Sequence, residues 1–103
     1  MARTARPPAP HWLVYLLRCR DGSLYAGITN DLAKRLETHA AGKASRYTRS
    51  RLPVKLVYAE RQPDKSAALR REAAIKKLRR ADKERLVATA TVIRLKRLTA
   101  PRR

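Results

Sequence analysis

Twenty-six lysines and arginines stand against eight aspartates and glutamates in a chain of 103 residues, a net charge of +18 at pH 7. Self-repulsion on that scale opposes compaction unless a polyanion or salt offsets it. The apolar side is thin as well. Hydrophobic residues make up 44% of the chain, but 17 of them are alanine, and Leu, Ile, Val and Phe together number only 21. Such a chain builds one small core, and its length allows one domain. Arginines outnumber lysines 18 to 8, and the planar guanidinium fork matches phosphate oxygens better than a point charge does. The expected partner is therefore anionic, with nucleic acid ahead of an acidic membrane.

The longest unbroken apolar run, Trp12 to Leu17, falls far short of the roughly 20 residues that span a bilayer. Residues 1–10 carry Arg3, Arg6, Pro7, Pro8 and Pro10 without an apolar stretch, which reads as a disordered basic arm, not a secretory signal. A cytoplasmic location is expected. The single cysteine, Cys19, forbids an internal disulfide and a multi-cysteine zinc site. The expected organisation is an arm at 1–10, a domain at 11–90, and a basic tail at 91–103.

Trp12 to Arg18 and Leu24 to Ile28 read as strands joined at Asp21-Gly22, a β-hairpin. Loop length decides which side chains share a face, because strand side chains alternate with period two. A two-residue loop would pair Arg18 with Tyr25 and put Tyr15 and Tyr25 on opposite faces. A three-residue loop, Arg20-Asp21-Gly22 with Gly22 left-handed, is expected to pair Cys19 with Tyr25 and put both tyrosines on one face. Thr29, Asn30 and Asp31 can cap a helix at about 30–41, which Gly42 stops. A short helix is expected within 44–50, a third strand at 54–58, and a stronger helix from Asp64 or Ser66 through Arg80. A last helical segment follows Asp82, from Lys83 to about Ala90.

Among so few acids Glu72 stands out. At about 100° per residue it falls between Ala68, Leu69 and Ile75, on the stripe expected to face the core, where a carboxylate needs a cation, a metal or several hydrogen bonds. A structural salt bridge would explain it equally well. Arg35 and His39 lie one helical turn apart and share a face, suited to clamping a phosphate, although a solvated helix face accounts for such a pair too. Tyr47, inside Arg46-Tyr47-Thr48-Arg49, fits nucleic-acid contact or packing.

The order of these elements is itself informative. Leu13-Val14-Tyr15 on the first strand, Tyr25-Ala26-Gly27 on the second, Arg35 and His39 on the next helix, and Glu72 on a later one resemble a GIY-YIG nuclease domain over about residues 12–88. The chain looks most similar to the small standalone bacterial GIY-YIG proteins, through LYAGITNDLAKRLETH, LPVKLVYAE and ALRREAAIKKL. The resemblance implies an α+β fold: a small three-stranded antiparallel sheet flanked by helices in the order β-β-α-α-β-α-α. It also implies an endonuclease that cleaves DNA phosphodiesters with one Mg²⁺ or Mn²⁺ per active site and no small-molecule cofactor. Carried over, Tyr15 and Tyr25 are the general base and its positioning partner, with Tyr15 the favoured base. Arg35 stabilises the phosphate, His39 helps in proton transfer, and Glu72 is the metal ligand. Because both tyrosines must address one phosphate, the three-residue loop is the expected register. The cationic field is expected to lower the Tyr15 pKa toward the phenolate.

The chain departs from the motif at Leu13, Val14 and Ala26, and Lys83 and Glu84 stand where some members carry an asparagine. Further phosphate contacts are expected from Arg46, Arg49 and Arg51 before the third strand and from Lys76 beyond Glu72. No attached recognition module is expected, so selection by shape or strandedness is expected over sequence-specific cutting. A non-catalytic nucleic-acid-binding protein, for DNA or RNA, would use the same basic surface. Peripheral membrane binding through residues 92–98 ranks last, and no membrane partner is expected.

Overall fold

The computed structural model describes residues 12–89. The arm at 1–10 and the tail from 91, with its candidate amphipathic segment at 92–98, lie outside the described residues. Seven elements follow in order: β1 (Trp12–Arg18), β2 (Leu24–Thr29), α1 (Leu32–Ala40), α2 (Arg46–Arg49), β3 (Lys55–Gln62), α3 (Lys65–Lys76) and α4 (Arg80–Ala88). The strands form one antiparallel sheet in the order β2-β1-β3, the expected α+β architecture. Among the described residues no helix is long and apolar enough to cross a membrane.

The hydrophobic strand β1 is central and buried on both faces. Val14 and Leu16 join Ala26, Tyr58, Ala68 and Ile75 beneath α3, and Leu86 and Val87 of α4 pack against the same cluster. Leu13, Tyr15 and Leu17 point the other way, toward Leu32 and Leu36 of α1. Fully burying a Leu, Val or Ile contributes about 1.5–3 kcal/mol, so this one strand anchors both layers.

The β1–β2 loop is Arg20-Asp21-Gly22, with Gly22 at φ 87° and the Cys19 N–H donating to Ser23 O at 2.9 Å. Both tyrosines fall on one face, as expected, but the pairing is corrected: Leu17, not Cys19, lies opposite Tyr25. A three-residue loop sets Cys19 against Ser23, and counting back from there brings Leu17 to Tyr25. The two-residue shift preserves the parity of the faces.

Three boundaries differ from the sequence reading. β3 continues to Gln62 because the polar residues at its end find inward partners. Burial alone would push the Glu60 carboxyl up, yet Arg71, Tyr58 and Gln62 hold it below the ordinary carboxylate value. Arg71 Nε donates to Glu60 Oε2 at 2.8 Å, and the Tyr58 hydroxyl donates to Oε1. Helix α3 stops at Lys76, not Arg80, because Leu78 turns into the core cluster and Arg79 adopts an extended conformation at φ −69°, ψ 159°. Helix α4 therefore starts earlier than expected and places Asp82 in its first turn.

Helix α4 is clamped to the hairpin by charge. Arg18 grips Glu84 with both nitrogens, at 2.7 and 2.9 Å, and Arg80 adds 2.9 Å to Glu84 and 2.7 Å to Gly22 O. The hydrogen bonds from Arg18 and then Arg80 pull the Glu84 carboxyl down to about 2, from 4.5. A carboxyl depressed on folding stabilises the fold fully above its unfolded value, and that contribution fades as pH falls toward the folded one. In thermal melts from pH 6 to pH 2, the Glu84→Gln variant should melt below wild type above pH 4.5, with the gap closing toward pH 2. A gap that stays constant with pH would show that the clamp's charge is not what stabilises α4.

Candidate active site

Helix α1 exists here because Asp31 caps it, accepting from the Lys34 N–H at 3.2 Å. Its spacing then carries Arg35 and His39 to the sheet face that holds the tyrosines. His39 is fully buried. Its Nε2 lies 2.8 Å from the Tyr15 hydroxyl and its Nδ1 lies 3.0 Å from Thr48 Oγ1. The imidazole meets both tyrosine rings edge-on, at centroid distances of 5.8 Å for Tyr15 and 5.4 Å for Tyr25. Arg35 Nε donates to the Tyr15 hydroxyl at 3.4 Å.

Burial dominates the electrostatics. It lifts the Tyr15 pKa above the ordinary 10, against the hydrogen bond and charge of Arg35 that would lower it. The expectation of a lowered Tyr15 pKa is therefore corrected. A phenolate at this spot would lose its hydration, and one guanidinium at the edge of hydrogen-bonding distance does not replace it. The charges of Tyr25 and Glu72 raise Tyr15 further, so Glu72 acts electrostatically on this centre from α3. Burial, followed by the Arg35 charge, brings His39 down to about 4 from 6.5, leaving it neutral at pH 7.

Glu72 itself is half-buried, its side chain 19% exposed, with Lys76 Nζ at 3.5 Å. The stripe around it is narrower than the sequence implied. Ala68 and Ile75 are fully buried, but Leu69 is 46% exposed, because α3 rests on the other two. Beside this end of the site, Tyr25, Tyr47, Lys76 and Lys83 line the mouth of a cleft of about 230 Å³ floored by Leu16 and Ala26.

Comparison with known proteins shows the family of this chain. The GIY-YIG catalytic domain model matches residues 11–85. The chain belongs to the GIY-YIG family. Among its relatives, a UPF0213 protein of Bacillus licheniformis is 58% identical over 73 residues, spanning 71% of this chain and 75% of that one. Another from Natronomonas pharaonis is 52% identical over 83 residues, spanning 81% and 96%. The solution NMR structure of a UPF0213 protein from Bacillus halodurans superposes with a TM-score of 0.51 at 44% identity, covering 77% of this chain and 84% of that one.

Within this candidate site, the structure brings Tyr15, Tyr25, Arg35 and His39 together on one face, while Glu72 stands on α3 and adds the smallest of the upward pushes on the Tyr15 pKa. The four outer basic residues divide. Arg46 and Arg49 are exposed and make no ion pair among the described residues. Lys76 sits beside Glu72. Arg51 is engaged internally: it bonds Asp21 at 2.9 Å and Tyr47 O at 3.0 Å, and caps the Tyr47 ring at 3.8 Å. The Tyr47 ring also stacks on Tyr25 at 5.9 Å, so it packs within the site as well as lying at its surface. Glu84, near the end of the matched segment, is held by Arg18 and Arg80.

Two further residues matter that sequence reasoning gave no role. Thr48 is fully buried against His39. Gly27 lies directly opposite Tyr15 in the ladder, and a Cβ there would stand 2.6 Å from Tyr15 Cζ and closer still to its hydroxyl oxygen. The missing side chain is the space the phenol occupies. The signal for Gly27 was its place opposite a tyrosine, legible only once the loop length was fixed.

Gly27→Ala should lower stability by about 1–3 kcal/mol through overpacking and displace Tyr15 from His39. Gly22→Ala should cost about 1–2 kcal/mol for its left-handed backbone, with open space around the new methyl and the site untouched. Urea unfolding measures both losses, and the His39 ring NMR signals should move in Gly27→Ala alone.

Proposed function

We propose that the protein is a metal-dependent endonuclease hydrolysing DNA phosphodiester bonds, selecting structure or strandedness over sequence, in repair, recombination or DNA turnover. One observation carries this reading. Tyr15, His39 and Arg35 form a single hydrogen-bonded unit whose central phenol also senses Glu72. That joins proton-transfer groups, a phosphate-binding cation and a carboxylate, which phosphodiester hydrolysis needs together.

The donor set fits a hard cation. Among the described residues no three His, Cys, Asp or Glu side chains cluster as metal ligands, which is unlike a closed zinc site. A single half-buried carboxylate suits Mg²⁺ or Mn²⁺, since Mg²⁺ keeps several waters and is held by one or two carboxylates plus substrate phosphates. Bound at Glu72, such an ion supplies a Lewis acid for the leaving oxygen. Arg35 turns from Tyr15 to the attacked phosphate, and that motion frees a lone pair on the phenol oxygen for the attacking water. Tyr15 orients this water and takes its proton while passing its own to His39. Tyr25 holds the His39 ring from its edge, and Lys76, paired with Glu72 here, would be free to hold a substrate phosphate were Glu72 to hold the ion.

End-labelled single-stranded, duplex, flap and four-way-junction DNA incubated with Mg²⁺ or Mn²⁺ tests this directly. Wild type should cut at least one of these. Glu72→Ala, Arg35→Ala and Tyr15→Phe should each lose about 10²–10⁴-fold, and EDTA should abolish the activity. Protein that binds all four without cutting any would establish the binding-module reading, with Glu72 a structural carboxylate. RNA competition at fixed salt separates the nucleic-acid classes. Because neutral His39 is the proton acceptor, kcat/KM should hold as pH falls through 6.5 and drop only toward about 4. A midpoint near 6.5 would remove His39 from that role.

The exposed Arg46 and Arg49 make a separate prediction. Neutralising either should reduce the salt slope of DNA binding by about one. Arg51→Gln should instead lower stability, because its guanidinium holds Asp21 and Tyr47. Unchanged slopes for Arg46→Gln and Arg49→Gln would mark both as bystanders.

A further inference from the structure

The polar contacts behind His39 can be resolved into donors and acceptors. Arg35 Nε only donates, so the Tyr15 oxygen accepts there. The phenolic proton must then go elsewhere, and within the fully buried surroundings of Tyr15 the acceptor among the described residues is His39 Nε2. Neutral imidazole carries one N–H. If Nε2 accepts, Nδ1 holds the proton and donates to Thr48 Oγ1 at 3.0 Å. The opposite tautomer would have Nε2 donate to Tyr15 and leave the phenolic proton buried without an acceptor, at a cost of about 1–3 kcal/mol.

The remaining bonds complete the same chain. Thr48 Oγ1, accepting from His39, lies 2.9 Å from Ser45 Oγ and can donate its own proton to Ser45 O at 3.5 Å. Ser45 Oγ also accepts the Thr48 backbone N–H at 3.1 Å, as the N-cap of α2. Ser45 thereby holds Thr48 both at its hydroxyl and at its backbone N–H.

We propose that Thr48 is a positioning residue that sets the tautomer of His39, accepting the Nδ1 proton so that Nε2 is bare to receive the phenolic proton of Tyr15. In the reaction, the Tyr15 O–H bond breaks as an N–H bond forms at Nε2. The phenol oxygen regains a proton from the attacking water, and the imidazolium produced keeps its Nδ1 proton on Thr48. This rests on the nuclease reading for its consequence, but the tautomer is a property of the resting protein and can be measured without any substrate.

Two variants and two readouts test it. Thr48→Val keeps the shape and the backbone N–H of Thr48 but removes the hydroxyl, and Thr48→Ser keeps the hydroxyl. ¹⁵N NMR of the His39 ring should show the Nδ1–H tautomer in wild type and Thr48→Ser, and a shift toward a mixture in Thr48→Val. Cleavage should fall about 10–100-fold in Thr48→Val, in kcat with KM unchanged, and return in Thr48→Ser. An Nε2–H tautomer in wild type, or a Thr48→Val protein with wild-type tautomer and kcat, would overturn the proposal. If wild type cuts nothing yet the tautomer shifts as described, the assignment to Thr48 stands and only the nuclease reading falls.

Discussion

Scarcity of carboxylates governs this molecule. Eight acids must organise a chain with 26 basic side chains, and most of them serve the fold. Asp31 and Asp64 cap α1 and α3. Glu60 holds Arg71 between β3 and α3, Glu84 binds Arg18 and Arg80, Asp21 holds Arg51, and Asp82 pairs with Arg79 and Arg85. Glu72 differs from these. Its ion-pair partner is a lysine at 3.5 Å that is itself more than half exposed, an arrangement that gives way readily to a stronger cation. Exposed pairs of that kind contribute at most about 1 kcal/mol.

The same imbalance shapes the surface. Four of the acids, Asp21, Glu60, Asp82 and Glu84, hold arginines in defined places, and basic residues without such a partner among the described residues, such as Arg46 and Arg49, face solvent. Salt screens an exposed field of this kind, whereas the buried Tyr15–His39–Thr48 chain is shielded from it. The protein therefore separates a salt-sensitive function, attracting a polyanion, from a salt-insensitive one, holding the reactive groups in register.

Element order and sheet parity were legible because turn chemistry is local: Asp21-Gly22, Asp31, Gly42 and Asp64 each announce a boundary by what their own backbone and side chains can do. The ends of β3 and α3 were not. Whether Glu60 ends a strand or continues it depends on Arg71, eleven residues away in sequence, and whether Leu78 extends a helix or turns inward depends on a core only the assembled sheet creates. The five motif residues could be placed on their elements from sequence, but the state of Tyr15 could not. A count of charges suggests an acidic phenol. Burial at the centre of the fold outweighs that count, since desolvation acts on the one atom while most of the positive charge stays in high-dielectric surroundings.

That reversal constrains the chemistry of the proposed reaction. Burial disfavours a Tyr15 phenolate and also a His39 imidazolium. A resting ion pair between them is therefore disfavoured on both sides, which argues against ionising Tyr15 before water attack in the proposed reaction. Simultaneous transfer avoids the phenolate altogether, because Tyr15 gains the water proton as it releases its own. The charge left on His39 then appears when negative charge grows on the attacked phosphate, and when Arg35, whose positive charge opposes the imidazolium, is itself neutralised by that phosphate. The burial that makes Tyr15 a poor free base thus favours proton transfer coupled to the arrival of a phosphate.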